Sequence, residues 1–213
     1  MLFDTGVFIL FTGIVQAVLP VKTVSPEDGL RRFTIEFPET LIVGLEIGAS
    51  VSVNGVCLTV IRISQHDVDF EAVSETMRVS NLSAIKDNSM VNIERSAKRD
   101  DEVGGHVVSG HVMGTAKVSS IDSTSNNCQM TFALSKDWLR YVFDKGFIAI
   151  NGASLTVAGV DKNAGTLTVN LIPETLRSTN FPQLGVEDEV NIEIDSQTQA
   201  IVETVERVLS ERS

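Results

Sequence analysis

Two phrases constrain this chain more than any other feature: NGVCLTV, beginning at Asn54, and NGASLTV, beginning at Asn151. The step of 97 residues between them also carries Thr59 to Thr156, and FTGIV at Phe11 to VSGHV at Val108. Further on, SETMRVSN at Ser74 matches PETLRSTN at Pro173, and VNIE at Val91 matches VNIE at Val190, each with a step of 99. Two residues therefore enter the second copy, near Asp161 to Gly165. Matches in one order with one small length change identify a tandem duplication, so the fold must be one unit made twice.

Each unit reads as all-β. SVSV, then NG, then VCLTVIRI is a period-2 apolar alternation around a dipeptide suited to a type I′ hairpin, whose two central residues need positive φ. AI, then NG, then ASLTVAGV repeats the pattern. Short strands between turn signals recur at RFTIEF, DVDFEAV, MVNIER, QMTFAL, TLTVNLI and EVNIEI, which predicts a small closed barrel per copy. The boundary is placed near Ala97 to Glu102, where KRDDE reads as a solvated loop. The tail breaks the pattern: from Gln197 onward, Ile201, Val205, Val208 and Arg212 recur at helical spacing. That helix must bury its stripe on its own barrels or against other subunits.

With 213 residues and a formal net charge of −11, the chain has room for a sizeable core and repels nucleic-acid phosphates. Its two cysteines, Cys57 and Cys128, fall in strands of different halves, so no disulfide framework or metal knuckle is indicated and a reducing cytoplasm is expected. The opening MLFDTGVFIL carries Asp4, has no basic start and no small-residue cleavage site, so it is not read as a signal peptide. It is too short to span a bilayer.

Strand geometry divides the repeated phrase into two faces. Cys57 and Thr59 share one, Val56, Leu58 and Val60 the other; Ser154 and Thr156 separate in the same way from Ala153, Leu155 and Val157. A small barrel fills its interior with apolar side chains, so the polar pairs are expected to face outward. For one copy this is ordinary strand surface. Two copies in register instead suggest two similar half-sites and a bimolecular function. His106 and His111, in GGHVVSGHV, have a spacing that suits no common zinc pattern. A histidine beside a glycine-lined cleft suits proton transfer. Gly104, Gly105, Gly110 and Gly114 form neither GxGxxG nor a P-loop. His66 reads as a turn residue, and Trp138 and Tyr141 as packing.

FTGIVQ, NGVCLTV, GGHVVSGHV, KGFIAINGASLTV and LIPETLRSTN, followed by VNIEID and a terminal helix, resemble the riboflavin synthase family from about Phe11 to the C-terminus. The resemblance implies two tandem six-stranded Greek-key barrels plus a C-terminal α-helix: an N-terminal extension 1–10, lumazine-binding barrels 11–97 and 98–195, and an oligomerisation helix 196–213. It implies dismutation of two 6,7-dimethyl-8-ribityllumazine molecules by four-carbon transfer, giving riboflavin and 5-amino-6-ribitylaminouracil, with no cofactor and no metal. It also implies a cytoplasmic homotrimer, with sites between the N-terminal barrel of one subunit and the C-terminal barrel of another, and an association with lumazine synthase.

Positions that look like the family's catalytic candidates are Ser50, Cys57, His111, Ser154 and Asp195, with His111 expected in proton transfer and Ser154 or Cys57 as the activating or nucleophilic group. Substrate contacts are expected in the first copy from Gly13, Ile14, Val15, Cys57, Leu58, Thr59, Glu71, Ala72, Val73, Ser74, Glu75 and Thr76. In the second copy they are expected from Gly110, His111, Val112, Lys145, Ser154, Leu155, Thr156, Asn170, Leu171, Ile172, Pro173, Glu174 and Thr175. The sequence departs from the family at its start, where the ten residues ahead of Phe11 are either an extension or a misassigned start with Leu10 as the initiation point. Asn151 also stands where an aspartate is common; Val56 and Ala153 are conservative packing changes. The rival reading is a non-catalytic lumazine- or flavin-binding antenna protein of the same fold. Such relatives typically lose residues of one half-site, whereas both polar pairs are present here. A purely structural double barrel would not require Cys57, His111 and Asp195.

Overall fold

The computed structural model describes residues 11–98, 101–124 and 127–212; the ten leading residues, and part of KRDDE, lie outside them. The first copy contributes strands β1 (Ala17–Glu27), β2 (Leu30–Glu36), β3 (Ser50–Val53), β4 (Val56–Ser64), β5 (Asp67–Val73) and β6 (Met90–Arg95). They close in the order β1-β2-β5-β4-β3-β6. The second copy supplies β7 (Gly114–Ser123), β8 (Cys128–Ala133), β9 (Phe147–Ile150), β10 (Ala153–Asp161), β11 (Thr166–Leu171) and β12 (Glu189–Ile194), closed by the same circuit. Both are antiparallel Greek-key barrels. Bulges fall at equivalent places, after Val21 and Val118 and after Val60 and Val157. The added local twist lets so few strands curl shut.

The NG turns have the predicted backbone: φ is 47° at Asn54 and 82° at Gly55, 45° at Asn151 and 79° at Gly152. The two extra residues of the second copy lengthen one turn. Gln65 and His66 join β4 to β5, whereas Lys162 to Gly165 join β10 to β11, with Asp161 Oδ1 accepting from the amides of Asn163 and Ala164.

Phe33, Ile35, Val60 and Phe70 fill the first barrel; Met130, Phe132, Val157 and Val169 fill the second. The barrels then exchange segments. Phe11 and Val108 form a two-bond bridge, with N–O distances of 2.9 and 3.0 Å, and pack together with Ala149. Val15 leans on the second core and Val112 on the first. At the contact the two NG turns stand back to back inside a buried asparagine network. The Asn92 Nδ2 amide donates to Asn151 O (2.9 Å) and the Asn191 Nδ2 amide to Asn54 O (2.8 Å). Backbone amides of Asn81 and Asn180 donate to Asn191 Oδ1 and Asn92 Oδ1, each at 2.7 Å. Burial makes these bonds obligatory, because an unmet amide there would lose its water without compensation.

The α-helices among the described residues are α1 (Glu39–Ile42), α2 (Ser74–Val79), α3 (Pro173–Ser178) and α4 (Ser196–Ser210). Asp195 caps α4, its Oδ2 accepting from Thr198 N at 2.9 Å and from Thr198 Oγ1 at 2.6 Å. Val202 packs on the second core, and the Tyr141 hydroxyl donates to Glu203. The predicted stripe is not covered by this contact: Ile201, Val205 and Val208 remain 65, 52 and 38% exposed. No helix among the described residues is long and apolar enough to cross a membrane.

Candidate active site

On β4, Val56, Leu58 and Val60 are buried, Cys57 is half-buried and Thr59 exposed; on β10, Ala153, Leu155 and Val157 are buried, Ser154 half-buried and Thr156 exposed. The polar faces thus point outward as the alternation requires. Each is roofed by a segment from near the start of the other copy. Ser154 N donates to Gly13 O at 2.8 Å, and Cys57 N to Gly110 O at 2.9 Å. Glycine is required at both roofs. A Cβ on Gly13 would stand 2.5 Å from Ser154 Cβ and one on Gly110 2.5 Å from Cys57 Cβ, and both residues have φ in the left-handed region.

The two half-sites differ in chemistry. In the second, His106 Nδ1 lies 2.6 Å from Ser154 Oγ, and the imidazole stacks on Phe147 with centroids 5.3 Å apart. The ring is buried, and its Nε2 meets no hydrogen-bond partner among the described residues. Burial pushes the His106 pKa below its ordinary value, while the charge of Asp195 pulls it up. In the first half-site, burial pushes the Cys57 thiol up; a hydrogen bond with Ser50 opposes this and Glu193 adds to it. Cys57 is therefore a thiol near neutral pH, with little of the thiolate that attacks. His111 is exposed on the segment that roofs Cys57, its Nδ1 3.2 Å from Ser109 Oγ. Asp195 serves its helix cap and acts on His106 through its field.

The expected contact positions divide by exposure. Ile14, Val73, Lys145, Ile172 and Glu174 are exposed, as are Ser74, Glu75 and Pro173; Thr76 and Thr175 are half-buried. Leu58, Ala72, Leu155 and Leu171 face the barrel interiors, so they present backbone only. Glu71 is tied to Arg32 at 2.6 Å, whereas its counterpart Asn170 accepts from Gln129 at 3.0 Å. One half-site is flanked by an ion pair, the other by neutral amides. Among the described residues no group of three or more His, Cys, Asp or Glu could hold a metal ion.

Three features escaped sequence reasoning. Of the two histidines, it is His106 that lies against Ser154. Phe147 supplies the surface under that ring. Glu94 and Glu193 are buried beside the exchanged segments, and their signal was present in the repeated VNIE, a polar pair at alternate positions kept in both copies.

The Lumazine binding domain family model matches the chain twice, over residues 12–96 and 109–195. The riboflavin synthase of Escherichia coli (strain K12) is 46% identical over 204 residues, covering 95% of each chain. That of Bacillus subtilis (strain 168) is 31% identical over 186 residues, covering 87% of this chain and 85% of the relative. Among solved structures, LumP complexed with riboflavin superposes with a TM-score of 0.82 at 26% identity, over 88% of this chain and 100% of that one. LumP complexed with 6,7-dimethyl-8-(1'-D-ribityl) lumazine gives 0.79 at 26% identity, with the same coverage. With both barrels matched and relatives of this identity spanning nearly its whole length, the chain belongs to the riboflavin synthase family, built from two lumazine-binding domains in tandem.

Proposed function

We propose that the chain is a riboflavin synthase, a transferase that moves a four-carbon unit between two 6,7-dimethyl-8-ribityllumazine molecules to give riboflavin and 5-amino-6-ribitylaminouracil. The observation that carries this reading is the pairing of two equivalent, outward-facing strand surfaces, Cys57/Thr59 and Ser154/Thr156, each roofed by the other copy. Two like substrates require two like pockets. Holding two rings in reacting geometry converts an encounter into an intramolecular step, and much of the rate comes from that alone.

The reaction needs a proton removed from the C7 methyl of one lumazine and a nucleophile or water added to the other. Ser154 is better placed than Cys57 to activate the added group. A neutral His106 accepts its proton through Nδ1, whereas the Cys57 thiol is held protonated and acts as a hydrogen-bonding group with Ser50. His111 stands at the exposed edge for proton transfer with solvent. The exposed stripe of α4 supports burial against other subunits, and the family resemblance makes that assembly a homotrimer in which first and second barrels of different subunits face each other. A cytoplasmic location accords with the two free cysteines, and association with lumazine synthase follows from the family resemblance alone.

The test is incubation of the purified full chain with 6,7-dimethyl-8-ribityllumazine, following riboflavin absorbance. Turnover is expected, and Ser154→Ala and His106→Gln are each expected to lower kcat by about 10²–10⁴. Binding without turnover in the wild-type chain would favour the antenna reading that the LumP likeness raises.

A further inference from the structure

The two buried glutamates have no role in the chemistry above, yet each sits at the root of a roof. Glu94, on β6, is 3% exposed. Its Oε1 accepts from Thr12 N at 2.7 Å and Thr12 Oγ1 at 2.8 Å, and its Oε2 from Gly13 N at 3.1 Å. Glu193, on β12, is 6% exposed. Its Oε1 accepts from Ser109 N at 2.6 Å and Ser109 Oγ at 2.7 Å, and its Oε2 from Gly110 N at 3.0 Å. The peptide unit that follows each clamp then reaches the other barrel, since Gly13 O receives Ser154 N and Gly110 O receives Cys57 N. Thr12 O also lies only 2.3 Å from where a Cβ on Gly105 would stand, so the clamped strand is in contact with the backbone that carries His106.

We infer that Glu94 and Glu193 are crossed positioning residues: the carboxylate of each barrel sets the placement of the outward-facing polar side chain on the opposite barrel, Glu94 that of the reactive Ser154 and Glu193 that of the hydrogen-bonding Cys57. This rests on the reading of Ser154 as a reactive group. The chemistry demands a carboxylate. Three donors converge on each group, and only a side chain with two acceptor oxygens and no proton satisfies all of them. Burial pushes both carboxyls up in pKa while these donors hold them down. Glutamine has the same shape but turns an NH2 toward the Gly13 or Gly110 amide, setting donor against donor. The roof must then lift, and the amide of the opposite strand loses its acceptor.

The experiment is hydrogen exchange resolved to single residues on the full chain, alongside steady-state kinetics, for wild type, Glu94→Gln and Glu193→Gln. Glu94→Gln is expected to speed exchange of the Ser154 amide about tenfold while the Cys57 amide keeps its wild-type rate; Glu193→Gln is expected to do the reverse. The kcat of Glu94→Gln is expected to fall about a hundredfold with KM changed far less, the cost of misplacing a reacting group by about an ångström. Thr12→Val removes one of the three donors and keeps the carboxylate, so it gives the same pattern more weakly and remains informative if Glu94→Gln does not fold. Equal acceleration at both amides, or uniform acceleration across all strands, would mean that the carboxylates serve overall stability and would overturn the crossing. So would two unchanged amides. A crossed exchange pattern with wild-type turnover would instead overturn Ser154 as the reactive group and leave the clamps in place.

Discussion

Replacing Gly55 with alanine tests the contact on which the whole two-barrel arrangement depends. Gly55 has φ +82° in the turn of β3 and β4, and a Cβ built on it would lie 2.6 Å from Gly152 N and 3.0 Å from Gly152 Cα. Both neighbours are backbone of the opposite turn, which itself is held by the asparagine network, so neither can swing away as a side-chain tip would. Two costs add. The left-handed conformation costs a residue with a Cβ about 1–2 kcal/mol, and forcing a close-packed contact apart costs about 1–3 kcal/mol more. Gly29→Ala isolates the first cost, since Gly29 has φ +76° and nothing within 4 Å of its would-be Cβ. For a chain of this size 1 kcal/mol moves Tm by about 2–4 °C. Gly29→Ala should therefore lower Tm by about 2–8 °C, and Gly55→Ala by about 2–12 °C beyond that. Scanning calorimetry of the two variants at one protein concentration decides the matter. Equal losses would refute the back-to-back packing of the turns, whatever the absolute values.

Two further outcomes are expected. Because burial holds the folded-state pKa of His106 below its ordinary 6.5, the unfolded chain takes up the proton first as pH falls; this contribution to stability is complete above about pH 6.5 and is lost as pH drops from there toward the folded-state pKa. His106→Gln should flatten that part of the Tm-against-pH curve, and a slope identical to wild type would contradict a buried neutral imidazole. Asn191→Asp should destabilise more than Asn191→Ala, because it replaces donors to Asn54 O and Asn81 Oδ1 by a buried carboxylate facing two acceptors. The excess is at least about 1–3 kcal/mol, read as a lower Tm, and an aspartate variant as stable as the alanine one would count against the assigned amide orientation.

Local rules made much of this protein legible in advance. Repetition at 97 and 99 residues required one fold made twice, and strand alternation put Cys57, Thr59, Ser154 and Thr156 on outward faces because successive side chains must point to opposite sides of a pleat. Asparagine followed by glycine specified turns with two positive φ angles. The helical stripe of α4 was equally visible, since helical periodicity is a property of neighbours in the chain. What covers that stripe was not, because it depends on surfaces outside the segment.

Only the tertiary structure decided which distant groups meet. Spacing could not rank His106 over His111 as the partner of Ser154, for both lie in one glycine-rich stretch and the choice is made by the path that stretch takes around the opposite barrel. The same holds for Glu94 and Glu193. In sequence they read as one polar residue of a strand, and they become clamps because the crossing of two segments aims three donors at each carboxylate. The duplication made the halves alike. The crossing made each depend on the other, because Gly13 O receives Ser154 N and Gly110 O receives Cys57 N, contacts between distant residues that no local propensity encodes.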